Sequence, residues 1–485
     1  MRTQATICLG FLLLSAGFLR AQVPGQPAGS QPRMQEQAQQ PEMTFPLPSA
    51  EIFNGSAQVE KPVPGVVQLS ILDAIDRGIR HNLGLLLSQQ QTEAARAQYR
   101  RNLSELLPNF SARGTDSIQQ INLAAFGIPL PANLSSPVIG PFNVLDARGA
   151  LSQTLLDFSA LNHMRQAAEN ERAARFTMQD ARELVVLVVG NQYLLTLAAT
   201  ARLETAQAQL NTAQTIFRLT QDQKNAGTAA GIDVLRAQVQ MQTQQQRVLA
   251  AQNQFEQQKM SLARIIGFPV SQQFNLTDKV PYAPLPPMDF EQSLASAYRQ
   301  RPEYLAAQSR ERAAELAVKA ARGEGLPTAQ LNGDIGFLGQ NIHTMENTYT
   351  VAAGIHIPIF EGGRVQADVA RAQSDLKQAQ FQLEDLHNRV EQEVRAALLD
   401  VKTSDQQVTV AQQSIDLAEE ELKQAQDRFT AGVSGSLEVT QAQESVALAH
   451  DTYIQALYVN NVAKLTLARA LGVAERQTKA FLGGK

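Results

Sequence analysis

Cysteine is almost missing from this chain: the single copy, Cys8, lies inside the first apolar run. No disulfide framework and no cysteine-ligated metal site can be built from it. Basic clusters are missing too. The formal net charge is −4, and no run of lysine or arginine forms the positive stripe that nucleic acid requires. Beyond the N-terminus no apolar run is long enough for a membrane-spanning helix. The nearest approach, residues 184–199, is short and interrupted by Asn191 and Gln192, so it reads as the buried stripe of a soluble helix. The histidines (His81, His163, His343, His356, His387 and His450) are scattered, without the paired spacing of a metal site. No phosphate-binding glycine loop, serine–histidine–acid set or carboxylate pair emerges. The sequence therefore offers no catalytic residue, no cofactor site and no metal site, and the chain does not read as an enzyme.

What is present begins with a mark of export. Arg2, an apolar run from Ile7 to Leu19 and then Arg20-Ala21-Gln22 have the layout of a signal peptide over residues 1–21. Residues 22–65 are rich in Pro, Gln, Gly and Ser and read as a disordered lead-in. If an exported chain without a spanning helix meets a membrane, β-strands must do it, because lipid tolerates only helices and closed barrels.

A stretch written twice organises the remainder. Residues 226–238 read AGTAAGIDVLRAQ and residues 431–443 read AGVSGSLEVTQAQ. At the same lag of 205 residues, Leu262, Ala263, Arg264 and Gly267 recur as Leu467, Ala468, Arg469 and Gly472, and Val185, Val189 and Leu194 as Val390, Val394 and Leu399. Three separated blocks at one spacing indicate a duplication, with halves at 66–267 and 289–472, a Pro-rich linker at 268–288 and a tail at 473–485. In each copy Gly227 or Gly432 ends a helix, and Asp233 or Glu438 follows where an acid favours a new helix N-terminus.

In the first half a helical pattern runs from Leu69 to Leu107 with a break at Asn82 and Gly84, and Pro108 ends it. A strand is expected over 109–118, a long loop over 121–141 and a second strand over 143–156. There Leu145, Ala147, Gly149 and Leu151 alternate with Asp146, Arg148, Ala150 and Ser152. Residues 159–224 form one proline-free helix of roughly 100 Å, which no single globular domain encloses. A shorter helix, 232–267, follows the tip. The second half repeats this order: helices 289–300 and 302–322, the junction at Pro327, strands over 329–337 and 349–359 with a loop at 340–347, helix 361–430 and helix 437–471. The first half holds about fourteen more residues between helix and tip, and the Pro-rich loop is their expected place. Strands of this length span a bilayer when tilted. One chain offers four, a closed barrel needs at least about eight, and three copies would supply twelve.

In these features the chain resembles the TolC-type outer-membrane efflux family. The likeness rests on the duplication, the Leu107-Pro108 and Leu326-Pro327 strand entries, and the Ile359-Phe360-Glu361-Gly362-Gly363-Arg364 junction with its degraded partner Leu156-Asp157-Phe158-Ser159. The Ala-Gly tips and the Leu-Ala-Arg helix ends complete it. The resemblance implies an all-α-dominated membrane protein with β: a homotrimer whose twelve-stranded transmembrane β-barrel sits in outer-membrane lipid and continues as a long α-helical barrel in the periplasm. Its implied partners are a periplasmic adaptor and an inner-membrane pump or ABC exporter, in efflux or type I secretion, and it implies no cofactor. The family's second tip carries an acidic pair one helical turn apart at the constriction. Here the first member falls on Glu438 and the second on the uncharged Gln441. Asp233 matches the acidic partner in the first tip. The positions expected to be tyrosine and basic fall on Phe429 and Ser434, with Arg236 and Arg428 near enough in sequence to substitute. From the residues alone, an exported coiled-coil scaffold or adhesin with small soluble sheets stays open.

Overall fold

The structure is a computed structural model that describes residues 51–57, 62, 64–127, 136–228, 230–278 and 282–482. The expected signal peptide, most of the lead-in and the centre of the Pro-rich loop lie outside those residues. The described residues form one compact unit.

The duplication is visible as two near-equal sets of elements. The first is α1 (Ile71–His81), α2 (Leu83–Ser104), β2 (Asn109–Asn122), β3 (Val138–Leu156), α3 (Phe158–Asn225) and α4 (Gly231–Ile265). The second is α5 (Phe290–Gln300), α6 (Pro302–Gly323), β5 (Thr328–Gly339), β6 (Glu346–His356), α7 (Arg364–Thr430) and α8 (Ser436–Ala470). The helices match closely: 11 and 22 residues open each half, and long helices of 68 and 67 residues each precede one of 35. The strands differ, at 14 and 19 residues against 12 and 11. Part of the first half's extra length therefore lengthens strands, and the expected loop at 121–141 is shorter than its prolines imply.

Four further boundaries differ from the sequence reading, each for a local reason. The fourth strand stops at His356, before Ile357 and Ile359. Pro358 has no N–H to give a ladder, and Ile359 and Phe360 stand 94% and 86% exposed. The second long helix starts at Arg364 because Gly362 and Gly363 hold positive φ angles of 62° and 85°, which a helix does not contain. The expected tail carries a helix, α9 (Ala474–Phe481), whose Ala474, Thr478 and Phe481 are buried. Residues 51–57, assigned to the disordered lead-in, lie across the α1–α2 break. Asn82 Nδ2 donates to the Phe53 carbonyl at 2.5 Å, and Leu83 N–H donates to the Gly55 carbonyl at 2.9 Å.

Two sheets result. A small parallel one pairs β1 (Val67–Leu69) with β4 (Phe274–Leu276), stitching the start of the first half to the Pro-rich linker. Buried Tyr193 on α3 anchors that stitch, its hydroxyl 2.9 Å from the Leu69 carbonyl and 2.7 Å from Asp278 Oδ2. The larger sheet is antiparallel in the order β2-β3-β5-β6, so β2 and β6 are its edges.

The core runs along the helices as a stripe. Val185, Val186 and Val189 of α3 are fully buried, so the apolar run of that helix is interior to the chain. Between α7 and α8 the packing descends in three clusters: Val408/Ala411/Ala456/Leu457, then Ile415/Ala418/Val446/Ala449, then Ala425/Phe429/Val439/Ala442. Alanine fills about half of these positions, which lets two long helices approach closely at little entropic cost.

Candidate functional site

Both tips end in the same backbone device. At the first, Thr228 N–H donates to the Gln223 carbonyl at 2.8 Å and Gly227 N–H to the Lys224 carbonyl at 3.0 Å. At the second, Val433 N–H donates to Arg428 at 2.9 Å and Gly432 N–H to Phe429 at 3.0 Å. These are paired C-terminal helix closures that need a left-handed residue, supplied by Gly227 (φ 77°) and Gly432 (φ 75°). Asp233 and Glu438 then sit in the first turns of α4 and α8, as the sequence indicates.

Side chains make the two tips unequal. Asp233 Oδ1 accepts a hydrogen bond from Ser436 Oγ at 2.8 Å, joining the first hairpin to the second. Arg236 lies 3.6 Å from the same carboxylate, one turn along its own helix. Arg428 reaches Glu438 at 3.3 Å, inside the second hairpin. Neither arginine bridges the hairpins; the bridge is Ser436, which the sequence reading did not single out. The duplication held the clue, because Ser436 aligns with Gly231 and is the first helical residue of its copy. Phe429 is buried among Ala425, Val439 and Ala442, with Ile216 of the other hairpin beside it. It is a packing residue there, without a hydroxyl to share. Ser434 is half-buried at the turn and Gln441 is exposed.

Above the tip the seam between hairpins is polar. Arg247 and Gln240 both donate to Glu444, at 2.9 and 3.2 Å. Burial pushes that carboxyl up, but the Arg247 and Gln240 hydrogen bonds and the Arg247 charge outweigh it and hold Glu444 below its usual range. Higher still, Arg202 donates to Asp451 and Gln455 at 2.8 and 3.0 Å, and Tyr458 to Asn191 at 2.8 Å. Inside the second hairpin the contacts are alanine-lined packing; across the seam these polar contacts accompany apolar ones, Leu465 against Gly190 and Ile216 against the Phe429 cluster.

At the far end of the long helices the four-stranded sheet has two faces of opposite character. One carries Arg113, Asp146, Arg148 and Asp334, with Arg148 2.7 Å from both carboxylates. The other carries Phe110, Ile118, Ile335, Phe337, Tyr349, Val351 and Ile355, all between 54% and 78% exposed. An exposed apolar sheet face of that extent marks contact with a non-aqueous surface, and its alternation with a polar face is that of a lipid-facing, water-lined wall. Pro108 and Pro327 each stand one residue before the strand that enters this sheet. Gly362 and Gly363 turn the exit from the last strand toward α7. There Arg364 pairs with Glu361, Glu324 and Asp368, fastening the start of α7 to the end of α6.

Comparison with known proteins agrees with this architecture. The chain is 26% identical over 431 residues to the outer membrane protein OprJ of Pseudomonas aeruginosa, which spans 84% of this chain and 85% of OprJ. It is 26% identical over 198 residues to the pyoverdine export outer membrane protein OpmQ of Pseudomonas putida, spanning 42% of that relative. A crystal structure of a membrane protein from Pseudomonas aeruginosa superposes with a TM-score of 0.71 at 23% identity, covering 88% of this chain and 96% of that one. Residues 75–268 and 294–473 match the family described as outer membrane efflux protein. With that match running through both halves of the duplication, the chain belongs to the outer membrane efflux protein family.

Proposed function

We propose that three copies of this outer-membrane protein form a passive exit duct. Their three sheets close a twelve-stranded barrel in the membrane, and their hairpins form a helical barrel reaching through the periplasm. One observation carries the reading. A sheet with two free edges and an apolar outer face is continuous with helical hairpins about 100 Å long, and lipid does not tolerate an open sheet edge. The tips are then the regulated end, meeting a periplasmic adaptor and through it an inner-membrane pump or exporter. In this reading the Asp233–Ser436 hydrogen bond holds the two hairpins of each protomer closed. Three copies of Glu438 form a single acidic ring, with the neutral Gln441 one turn further in. The scaffold reading loses support, because a soluble sheet would hide the face that carries Phe110, Tyr349 and Ile355.

Cargo follows from the relatives only as a class. The name of OpmQ speaks of pyoverdine export, which favours small molecules over secreted protein. The test joins assembly to transport. Purified protein should migrate as a heat-modifiable trimer and give discrete conductance steps in planar bilayers, and deletion of the gene should raise sensitivity to small toxic compounds. Soluble monomers without conductance would overturn the duct, and loss of a secreted protein without a change in sensitivity would reverse the cargo class.

A further inference from the structure

The apolar face of the sheet contains one charge. Following the register from β2 to β6, the residues on that face are apolar or small except for Asn143, Gln153, Asn347, the hydroxyl of Tyr349 and the carboxylate of Asp116. Asp116 stands between Gly114 and Ile118 along its strand and opposite Leu145. It is exposed, and it has no hydrogen-bond or ion-pair partner among the described residues. A lone carboxylate facing hydrocarbon is costly and is retained where a partner offsets it. Nothing on its own sheet reaches it, and β2 is an edge, so the partner must come from whatever pairs with that edge.

The other free edge, β6, supplies a candidate by count. Asp116 is the eighth residue of β2 from its helical end, Asn109, and Tyr349 is the eighth of β6 from its helical end, His356. Both lie on the apolar face. The stagger inside the sheet agrees. Asn109 is carried through Ser152 and Asn332 to Ala352, four residues short of His356, so pairing Asn109 of the next copy with His356 gives each protomer a net stagger of the kind a tilted barrel requires. That pairing sets Asp116 opposite Tyr349, with Val351 diagonal to it. Cross-strand and diagonal neighbours at that spacing lie within reach of a tyrosine. Tyr349 is 76% exposed, and its hydroxyl has no partner among the described residues.

We infer that Asp116 of one protomer accepts a hydrogen bond from the Tyr349 hydroxyl of the next copy, so that each of the seams between protomers is locked in register by one polar contact within its apolar belt. This rests on the trimeric reading given above. A slip of one residue turns one of the two side chains to the other face, and the bond is lost. The contact therefore selects register as well as partner.

The experiment uses the full-length protein in outer-membrane vesicles, in a Cys8→Ser background. Asp116→Cys and Tyr349→Cys are combined and treated with a short bis-maleimide. The expected result is covalent dimers and trimers that survive boiling in SDS, with monomers only from either single variant. A double variant that runs as a trimer unboiled yet yields no covalent product overturns the contact while leaving the trimer standing. Wild-type chains that never migrate as trimers overturn the trimeric reading and this inference with it. A double-mutant cycle tests the bond itself. Tyr349→Phe should lower the temperature of trimer dissociation by several degrees, and adding Asp116→Leu should cost nothing further. Additive losses would overturn the hydrogen bond.

Discussion

Glu183 on α3 offers a test of how the C-terminal helix is held. Its side chain is 5% exposed, and its Oε2 accepts the Glu475 backbone N–H at 3.3 Å, in the first turn of α9. Burial raises this carboxyl from 4.5 to about 7; the N–H groups of Glu475 and Ala474 oppose the rise, and the charges of Glu475 and Asp180 reinforce it. An acid raised on folding keeps a proton that the unfolded chain releases above 4.5. The folded state is favoured at low pH, and that advantage is lost as pH climbs from 4.5 to about 7, after which it is constant. The displacement corresponds to roughly 3 kcal/mol per chain once the group is fully ionised. Glu183→Gln keeps the acceptor oxygen and removes the titration. It should leave thermal stability unchanged near pH 5 and raise it by a few degrees at pH 8. Asp180, raised by burial against the pull of Arg469, stays in both proteins and leaves a residual slope common to the two. The assay is thermal unfolding of detergent-solubilised protein between pH 5 and pH 8.5. Parallel pH profiles for wild type and variant would refute the reasoning.

Three further expectations concern the tips. Ser436→Ala removes the only side-chain hydrogen bond described between Asp233 and the second hairpin, worth about 1 kcal/mol at a largely buried site. Open-channel probability in planar bilayers should rise about five-fold, and Ser436→Thr should restore the wild-type value. Glu438→Ala should weaken block by multivalent cations added on the tip side, and an unchanged block would leave Glu438 as a helix-terminal residue paired with Arg428. Gly432→Ala forces a side chain into a φ of 75° and should cost about 1 kcal/mol of stability, read as a lower melting temperature of the isolated trimer.

The long-range plan was legible because it was written twice. Ala-Gly turns at a constant lag, proline-free runs of helical length and alternation across Asp146 and Arg148 each report a backbone preference that acts locally. What escaped depends on partners far along the chain. The parallel pair of three-residue strands joins Val67 to Phe274, and neither segment is long enough to show a period. The Asp233–Ser436 bridge spans 203 residues and depends on one hydroxyl. The alternation runs past the end of β6 because Ile357 and Ile359 continue it while Pro358 breaks the ladder. The C-terminal helix, only 8 residues long, is too short to show a period, although Ala474, Thr478 and Phe481 carry helical spacing. The tip residues that the family pattern points to lie at the ends of the hairpins, but Phe429 and Ser434 cannot supply tyrosine or basic chemistry. The hairpins are joined there by different atoms.

The matched helix lengths make each half a ruler for the other. With α3 and α7 differing by one residue and α4 and α8 equal at 35, both tips lie at nearly the same depth from the sheet. An insertion confined to one hairpin would push its tip past its neighbour by about 1.5 Å per residue and rotate its buried stripe off the seam. A change in duct length that preserves a level rim must enter four helices at once, in steps near seven residues that return each alanine to the same face. Evolution or engineering that fits such a duct to a deeper periplasm is therefore restricted to coordinated increments of about 10 Å.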